Sequence, residues 1–453
     1  MTSGERLRWG VRIGFGAGDL AQNLVFSAVG TYLLFFCTDV IGLAPTAAAT
    51  MFLVVQFADV LWNPFVGVFI DRHNPPWGKY RSYLVLAGIP FAIFSVLCFF
   101  NPFGGTGDAW KTLWTYMTYA VFTLLFSLVN VAYGALSASL SRDTGEITIL
   151  TAVRIFMANA GCLVAMAGVP LLVAALGGGP LGERALPWRM AVFMGCGMLP
   201  SFVFMPLLPA LRRLFGKKGL FFAFAAVAVV GMAALYIMSR VGRIEDNLWL
   251  IYVAQFVKAT GIIVATGYMW ALVPEVIEYS ERLTGRRVAG IVNAIVGVFF
   301  RAGMALGRAA TGWVLAWTGY RAVADAEGKV SLPTDPRAWL WTMAACAAVA
   351  VVLLAFSFTQ TKERVVMKAA EAAQVRVADI WREFRRNGPL RWLALFFVAA
   401  FALMSVGNAA GAYFMNGLES QTPLAQEGIR WLVCVVPSLL MAVAAFAISR
   451  YRV

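Results

Sequence analysis

"GVFIDRHNPPWGKYRSYLVL", residues 67–86, sets Asp71, Arg72, His73, Lys79 and Arg81 between two long apolar runs. Only 13% of the 453 residues are charged, so such a cluster needs a reason. The Pro75–Pro76 pair keeps the middle of the stretch out of regular helix or strand, because proline lacks a backbone donor and fixes φ. The stretch therefore reads as a short polar connector kept out of an apolar medium.

That medium is a lipid bilayer. Hydrophobic residues make up 60% of the chain and the mean hydropathy is +0.75. Apolar runs of about twenty residues recur throughout, each long enough to cross roughly 30 Å of hydrocarbon as a helix. Water-soluble chains alternate more, since they must cover a core with polar faces. The basic start "MTSGERLRWGVR" leads into a run without a small-residue cleavage site, so that run is expected to stay as a span. Cys37, Cys98, Cys162, Cys196, Cys346 and Cys434 are scattered singly, as buried small hydrophobes would be, with no metal or disulfide spacing.

Twelve spans are expected, at about 11–36, 46–70, 83–101, 112–138, 149–177, 188–208, 219–239, 248–276, 288–319, 337–358, 390–415 and 428–449. With both termini cytoplasmic, 24 of the 37 Lys and Arg fall on the cytoplasmic side, against 9 on the other. This bias fixes the orientation. It also accounts for the net charge of +14 and pI near 9.8 without nucleic acid. The opening stretch is then a cytoplasmic loop, and its charges can pair and re-pair as helix bundles rock.

The loop pattern D-R-x(4)-W-G-K-Y-R resembles the second-to-third-helix motif of the glycoside–pentoside–hexuronide:cation symporters, the melibiose-permease group of the major facilitator superfamily. Residues 127–161, "SLVNVAYGALSASLSRDTGEITILTAVRIFMANAG", resemble that family's fourth and fifth helices. Residues 269–307, "MWALVPEVIEYSERLTGRRVAGIVNAIVGVFFRAGMALG", resemble its tenth and eleventh, and "RRLFGKKGLFF" (212–222) the start of its ninth. The resemblance covers nearly the whole chain. It implies an all-α multi-pass membrane protein with twelve transmembrane helices in two six-helix bundles.

The order of the matches departs from the family. Span 188–208 looks like the family's eighth helix, whereas "TQTKERV" (359–365), the end of a sixth helix, comes only after span 337–358. "VADIWREFRRNGPLRWLALFF" (377–397) resembles the central linker and seventh helix. The resemblance thus implies that blocks 6–7 and 8–11 are exchanged, with all junctions in outward-facing loops. The expected organisation is 1–178 as helices 1–5 and 188–320 as helices 8–11. Residues 336–358 follow as helix 6, packing with 1–178. An amphipathic cytoplasmic linker at 359–389 then leads to 390–453 as helices 7 and 12.

An ionisable side chain inside a span costs roughly 2.5–3.5 kcal/mol, so each asks for a role. Asp19 shares a helix face with Gln22 and Asn23, a carboxylate beside two amides that suits a polyol. The resemblance implies that Asp19 holds sugar, together with Asn130, Arg154 and Arg301. Asp59 and Asn63 lie one turn apart where the family has two acids of a cation site, with Asn130 in place of a third. One carboxylate beside an amide still suits a proton. The expected coupling ion is therefore H⁺ in preference to Na⁺. Gly134 replaces the family's sugar-stacking Trp, and Tyr133 is expected to face elsewhere. Asp71, Arg72, Lys79, Arg81, Glu275, Glu278, Arg286 and Arg287 are expected to be cytoplasmic gate charges. Lys258 receives no role beyond snorkelling or pairing with an acid.

The expected function is secondary active transport of a glycoside, pentoside or hexuronide by alternating access. The protein is expected as a monomer in a bacterial inner membrane, without cofactor, metal or nucleic acid. A lysophospholipid or other amphiphile carrier is the alternative on the same fold. An engineered, rearranged transporter that folds but transports little is another. No nucleophile–base pair or metal spacing points to an enzyme.

Overall fold

The computed structural model describes residues 7–72, 75, 77–78, 80–102, 108–140, 144–177, 186–241, 247–267, 272–273, 275–277, 279, 289–320, 336–361, 384–417 and 421–451. Twelve helices run through them. They are α1 (Trp9–Phe35, continued by a π turn, Phe36–Val40), α2 (Pro45–Arg72), α3 (Ser82–Leu97), α4 (Asp108–Leu140) and α5. The last comprises Thr144–Leu163, a π turn at Val164–Gly168, and Val169–Gly177. There follow α6 (Trp188–Leu208), α7 (Lys218–Met238), α8 (Leu248–Gly267), α9 (Ala289–Trp317), α10 (Pro336–Gln360), α11 (Gly388–Gly417) and α12 (Pro423–Arg450). Ten of these are long and apolar enough to cross a membrane. The other two are α3, which is shorter than the expected span, and α9, which carries Arg301 and Arg308.

Local chemistry sets several ends. Pro45 opens α2, where a missing N–H costs nothing. Asn387 caps α11 by accepting from the Leu390 N–H at 3.0 Å. Thr422 caps α12 through the Ala425 N–H, with Pro423 as first helical residue. Gly216 (φ 67°, ψ 176°) breaks the otherwise continuous helical stretch Leu186–Met238 between α6 and α7. A side chain there would be strained.

The chain divides into two compact units. Unit 1 is Met1–Ala191 with Ala322–Ala372, and unit 2 is Val192–Arg321 with Ala373–Val453.

In unit 1, α10 packs against α1, α3 and the end of α5. Small residues let it in, as expected where lipid replaces water and close van der Waals packing drives association. A Cβ on Gly18 of α1 would stand 2.9 Å from Ser357 Oγ, and one on Gly88 of α3 2.8 Å from Leu354 Cδ1. At the other end of α10, Trp339 is buried among Tyr32, Phe35, Phe36 and Phe99, each with its ring centroid 6.0 Å away. In unit 2, α11 is central and packs on α9 and α12. Phe300 meets Phe401 edge-on at 4.2 Å. At the start of α12, Glu427 accepts from Tyr236 Oη (2.6 Å) and Arg240 Nη2 (2.6 Å), which ties α12 to the end of α7.

Candidate functional site

Two polar groupings inside unit 1 gather the residues singled out by the sequence. The first grows from α1, whose helical period stacks Asp19, Gln22 and Asn23 on neighbouring turns. Arg154 of α5 donates from Nε to Asp19 Oδ2 at 2.7 Å. The Asp19 side chain is 7% exposed and that of Arg154 31%, so the acid is sealed while the guanidinium keeps an open edge. That guanidinium lies 5.1 Å over the Tyr133 ring. Tyr133 stacks on Phe15 at 4.7 Å, 8° from parallel, and its hydroxyl donates to the Phe15 carbonyl. The tyrosine is therefore fixed from both sides and forms the floor under Arg154. This corrects the expectation that Tyr133 faces elsewhere: the ring lies under Arg154, fully buried and with both faces covered.

The two amides beside Asp19 differ. Asn23 donates to the Asp19 carbonyl at 2.9 Å, and Gln22 to the Gly18 carbonyl at 3.2 Å. Gln22 Oε1 is buried and has no partner among the described residues. An unpaired buried acceptor is costly unless a ligand or water supplies a donor. Asn130 is half-buried on α4, three residues before Tyr133. A Cβ on Gly134 would meet nothing within 4 Å, so space remains one turn further on.

The second grouping surrounds Asp59 of α2, which is fully buried. Its Oδ2 accepts from Gln56 Nε2 at 3.1 Å, and its Oδ1 accepts from the Ser127 hydroxyl of α4. Asn63 instead donates to the Asp59 backbone carbonyl at 2.6 Å. Gln56 and Ser127, both neutral, thus donate to the carboxylate, while the amide expected beside it bonds the backbone instead.

Among the expected gate charges, the side chains of Asp71 and Arg72, and Lys79, Glu278, Arg286 and Arg287 altogether, lie outside the described residues. Arg81 donates to the Trp77 carbonyl, and its guanidinium lies 4.8 Å from the Phe358 ring centroid. Glu275 accepts from Arg212 at 3.2 Å in unit 2. Arg301 also belongs to unit 2, half-buried on α9.

Sequence reasoning missed the best-formed ion pair. Arg12 of α1 reaches Glu146 in the first turn of α5 with Nη2 at 2.8 and 2.9 Å and Nε at 3.3 Å. Both side chains are buried, 8% and 6% exposed. The available signal was an acid and a base in the first turns of two helices that start on the same side.

Comparison with known proteins fixes the family. The model of the MFS/sugar transport protein family matches residues 14–191, 182–334 and 327–418. The chain belongs to the MFS/sugar transport protein family. It is 33% identical to the "Uncharacterized symporter YnaJ" of Bacillus subtilis (strain 168), over 68% of this chain and 83% of that protein. It is 28% identical to the isoprimeverose transporter of Lactiplantibacillus pentosus (69% and 81% covered). It is 25% identical to the glucuronide carrier protein homolog of Escherichia coli (strain K12) (70% and 85%). Membership in this major-facilitator family makes the chain a multi-pass membrane transporter and not an enzyme, in line with the resemblance read from its motifs.

Proposed function

We propose that the protein is a proton-coupled symporter for a glycoside, pentoside or hexuronide, working by alternating access in a bacterial inner membrane with both termini cytoplasmic. One observation carries the sugar reading: an Asp19–Arg154 pair laid over the Tyr133 ring inside an intramembrane bundle. A sugar presents adjacent hydroxyls to a planar guanidinium and a carboxylate. The free acceptor of Gln22 adds a place for a substrate hydroxyl. The names of two relatives, an isoprimeverose transporter and a glucuronide carrier homolog, fall in the same substrate class.

Asp59 is the coupling residue in this reading. A single buried carboxylate between a serine and a glutamine offers one negative charge and few oxygens, which suits a proton better than Na⁺. Uptake by proteoliposomes under an imposed pH gradient tests this. Asp59→Asn should retain exchange of a bound sugar and lose gradient-driven accumulation. Full accumulation by the variant, or equal stimulation of the parent by a Na⁺ gradient, would remove Asp59 or the proton from the mechanism.

The rearranged helix order belongs to the same proposal. The family model matches in three pieces whose ends fall at 182–191, 327–334 and 418, the loops where the motif order breaks. The alignment to YnaJ spans 392 positions yet takes in only 68% of the 453 residues. That shortfall fits a stretch of the relative without a counterpart at that point of this chain. Placement of α10 beside α1 in unit 1 supports reading it as a sixth helix, leaving 359–389 as the linker. Moving 336–417 back between 178 and 188 should give a protein that folds and transports like the parent. Failure of that variant to fold, beside a well-folded parent, would argue for ordinary order.

A further inference from the structure

Unit 2 contains a buried ammonium that the sugar-and-proton reading does not use. Lys258, at the middle of α8, is 4% exposed. It forms no hydrogen bond or ion pair with any described residue; the Phe193 ring of α6 lies 5.9 Å from Nζ, and Cys434 of α12 is near enough to interact with its charge. One turn earlier on the same face is Gln255, also buried, whose Oε1 has no partner among the described residues. Gln255 lies against Gly197, where a Cβ would come within 2.9 Å of Nε2. Lys258 and Gln255 thus face Phe193 and Gly197, one turn apart on α6.

No described acid pairs with this charge. Among the described residues of unit 2 the carboxylates are Glu275, which accepts from Arg212, and, in the first turn of α12, Glu427. It already accepts from Tyr236, Arg240, Arg430 and Trp431. A lysine that merely snorkelled would direct its ammonium to an interface. Here the ammonium lies between α6, α8 and α12, and the close packing of α8 on α7 at Gly231 holds its backbone in place. A buried cation without a counter-ion costs several kcal/mol, and an anionic ligand removes that cost.

We propose that Lys258, with Gln255 beside it, binds the acidic group of the transported molecule, so that the substrate is a sugar acid carrying a carboxylate or similar oxyanion. This rests on the sugar-transport reading and narrows it. The ammonium supplies charge-assisted donors to the oxyanion, Phe193 walls the site, and the Gln255 amide meets an adjacent hydroxyl.

Isothermal titration of the purified full-length protein with methyl β-D-glucoside and methyl β-D-glucuronide tests the proposal. These probes differ only in carrying a hydroxymethyl or a carboxylate. The parent should bind the glucuronide at least tenfold more tightly. Lys258→Met should weaken glucuronide binding by about tenfold to a hundredfold and leave the glucoside affinity unchanged. The glucoside also reports whether the variant is folded. Gln255→Leu should weaken both probes by a smaller factor. Equal binding of the probes by the parent, or an unchanged preference in Lys258→Met, overturns the site while the sugar reading stands. Binding of neither probe overturns both.

Discussion

The two units treat charge inside the bundle differently. Among the described residues of unit 1 the buried acids have donors: Glu146 holds Arg12, Asp19 holds Arg154, Asp39 accepts from Thr38, and Asp59 accepts from Gln56 and Ser127. In unit 2 the ion pairs Arg212–Glu275 and Arg240–Glu427 stand at helix ends, while Lys258 in mid-helix faces no described carboxylate. A charge paired within the fold is held by the protein alone and resists rearrangement. One left unpaired is stabilised only when something else arrives. Unit 1 therefore resembles a prebuilt frame, and unit 2 carries an electrostatic demand that a substrate can meet.

The contrast predicts opposite signs for two charge removals. Arg12→Ala leaves Glu146 buried without its bidentate partner and should destabilise by about 3–5 kcal/mol. Thermal unfolding in detergent should show a fall of several degrees, and replacing both residues by Met should restore most of it. Full stability of Arg12→Ala would mean that the pair is solvated and the frame is not rigid.

Removing the charge of Lys258 should do the reverse. Lys258→Met keeps a stem of similar length and deletes a cation that has no ion pair among the described residues. In the absence of ligand it should raise stability by about 1–3 kcal/mol. A loss comparable to that of Arg12→Ala would reveal a carboxylate partner for Lys258 and erase the difference between the units.

The smallest effect is expected at Gly134. Because a Cβ there meets nothing within 4 Å, Gly134→Trp should change stability by less than about 1 kcal/mol. Its effect should appear as altered affinity for neutral glycosides, read by titration. A large loss of stability would show that the space beside Tyr133 is filled.

The linear chain determined a good deal by itself. Helical spans follow from apolar runs that must satisfy their own backbone in lipid, so the rough limits of most could be read directly. The positions of Asp19, Asp59 and Arg154 were legible because an ionisable residue in such a run is conspicuous. Their partners were not. Tyr133 beneath Arg154, Ser127 against Asp59 and Glu146 on Arg12 come from other helices, 21, 68 and 134 positions away, and nothing in local periodicity selects a partner at such separations. The side to which Asn63 turns was decided by the Asp59 carbonyl it could reach, not by the carboxylate one turn away. Lys258 was visible as a charge in a span, but whether it pairs or stands alone depends on which faces α6, α7 and α12 present to it. In a bilayer, hydrophobicity states only that a helix is inside. The fit of small residues, and the few polar groups that must find one another, choose its neighbours.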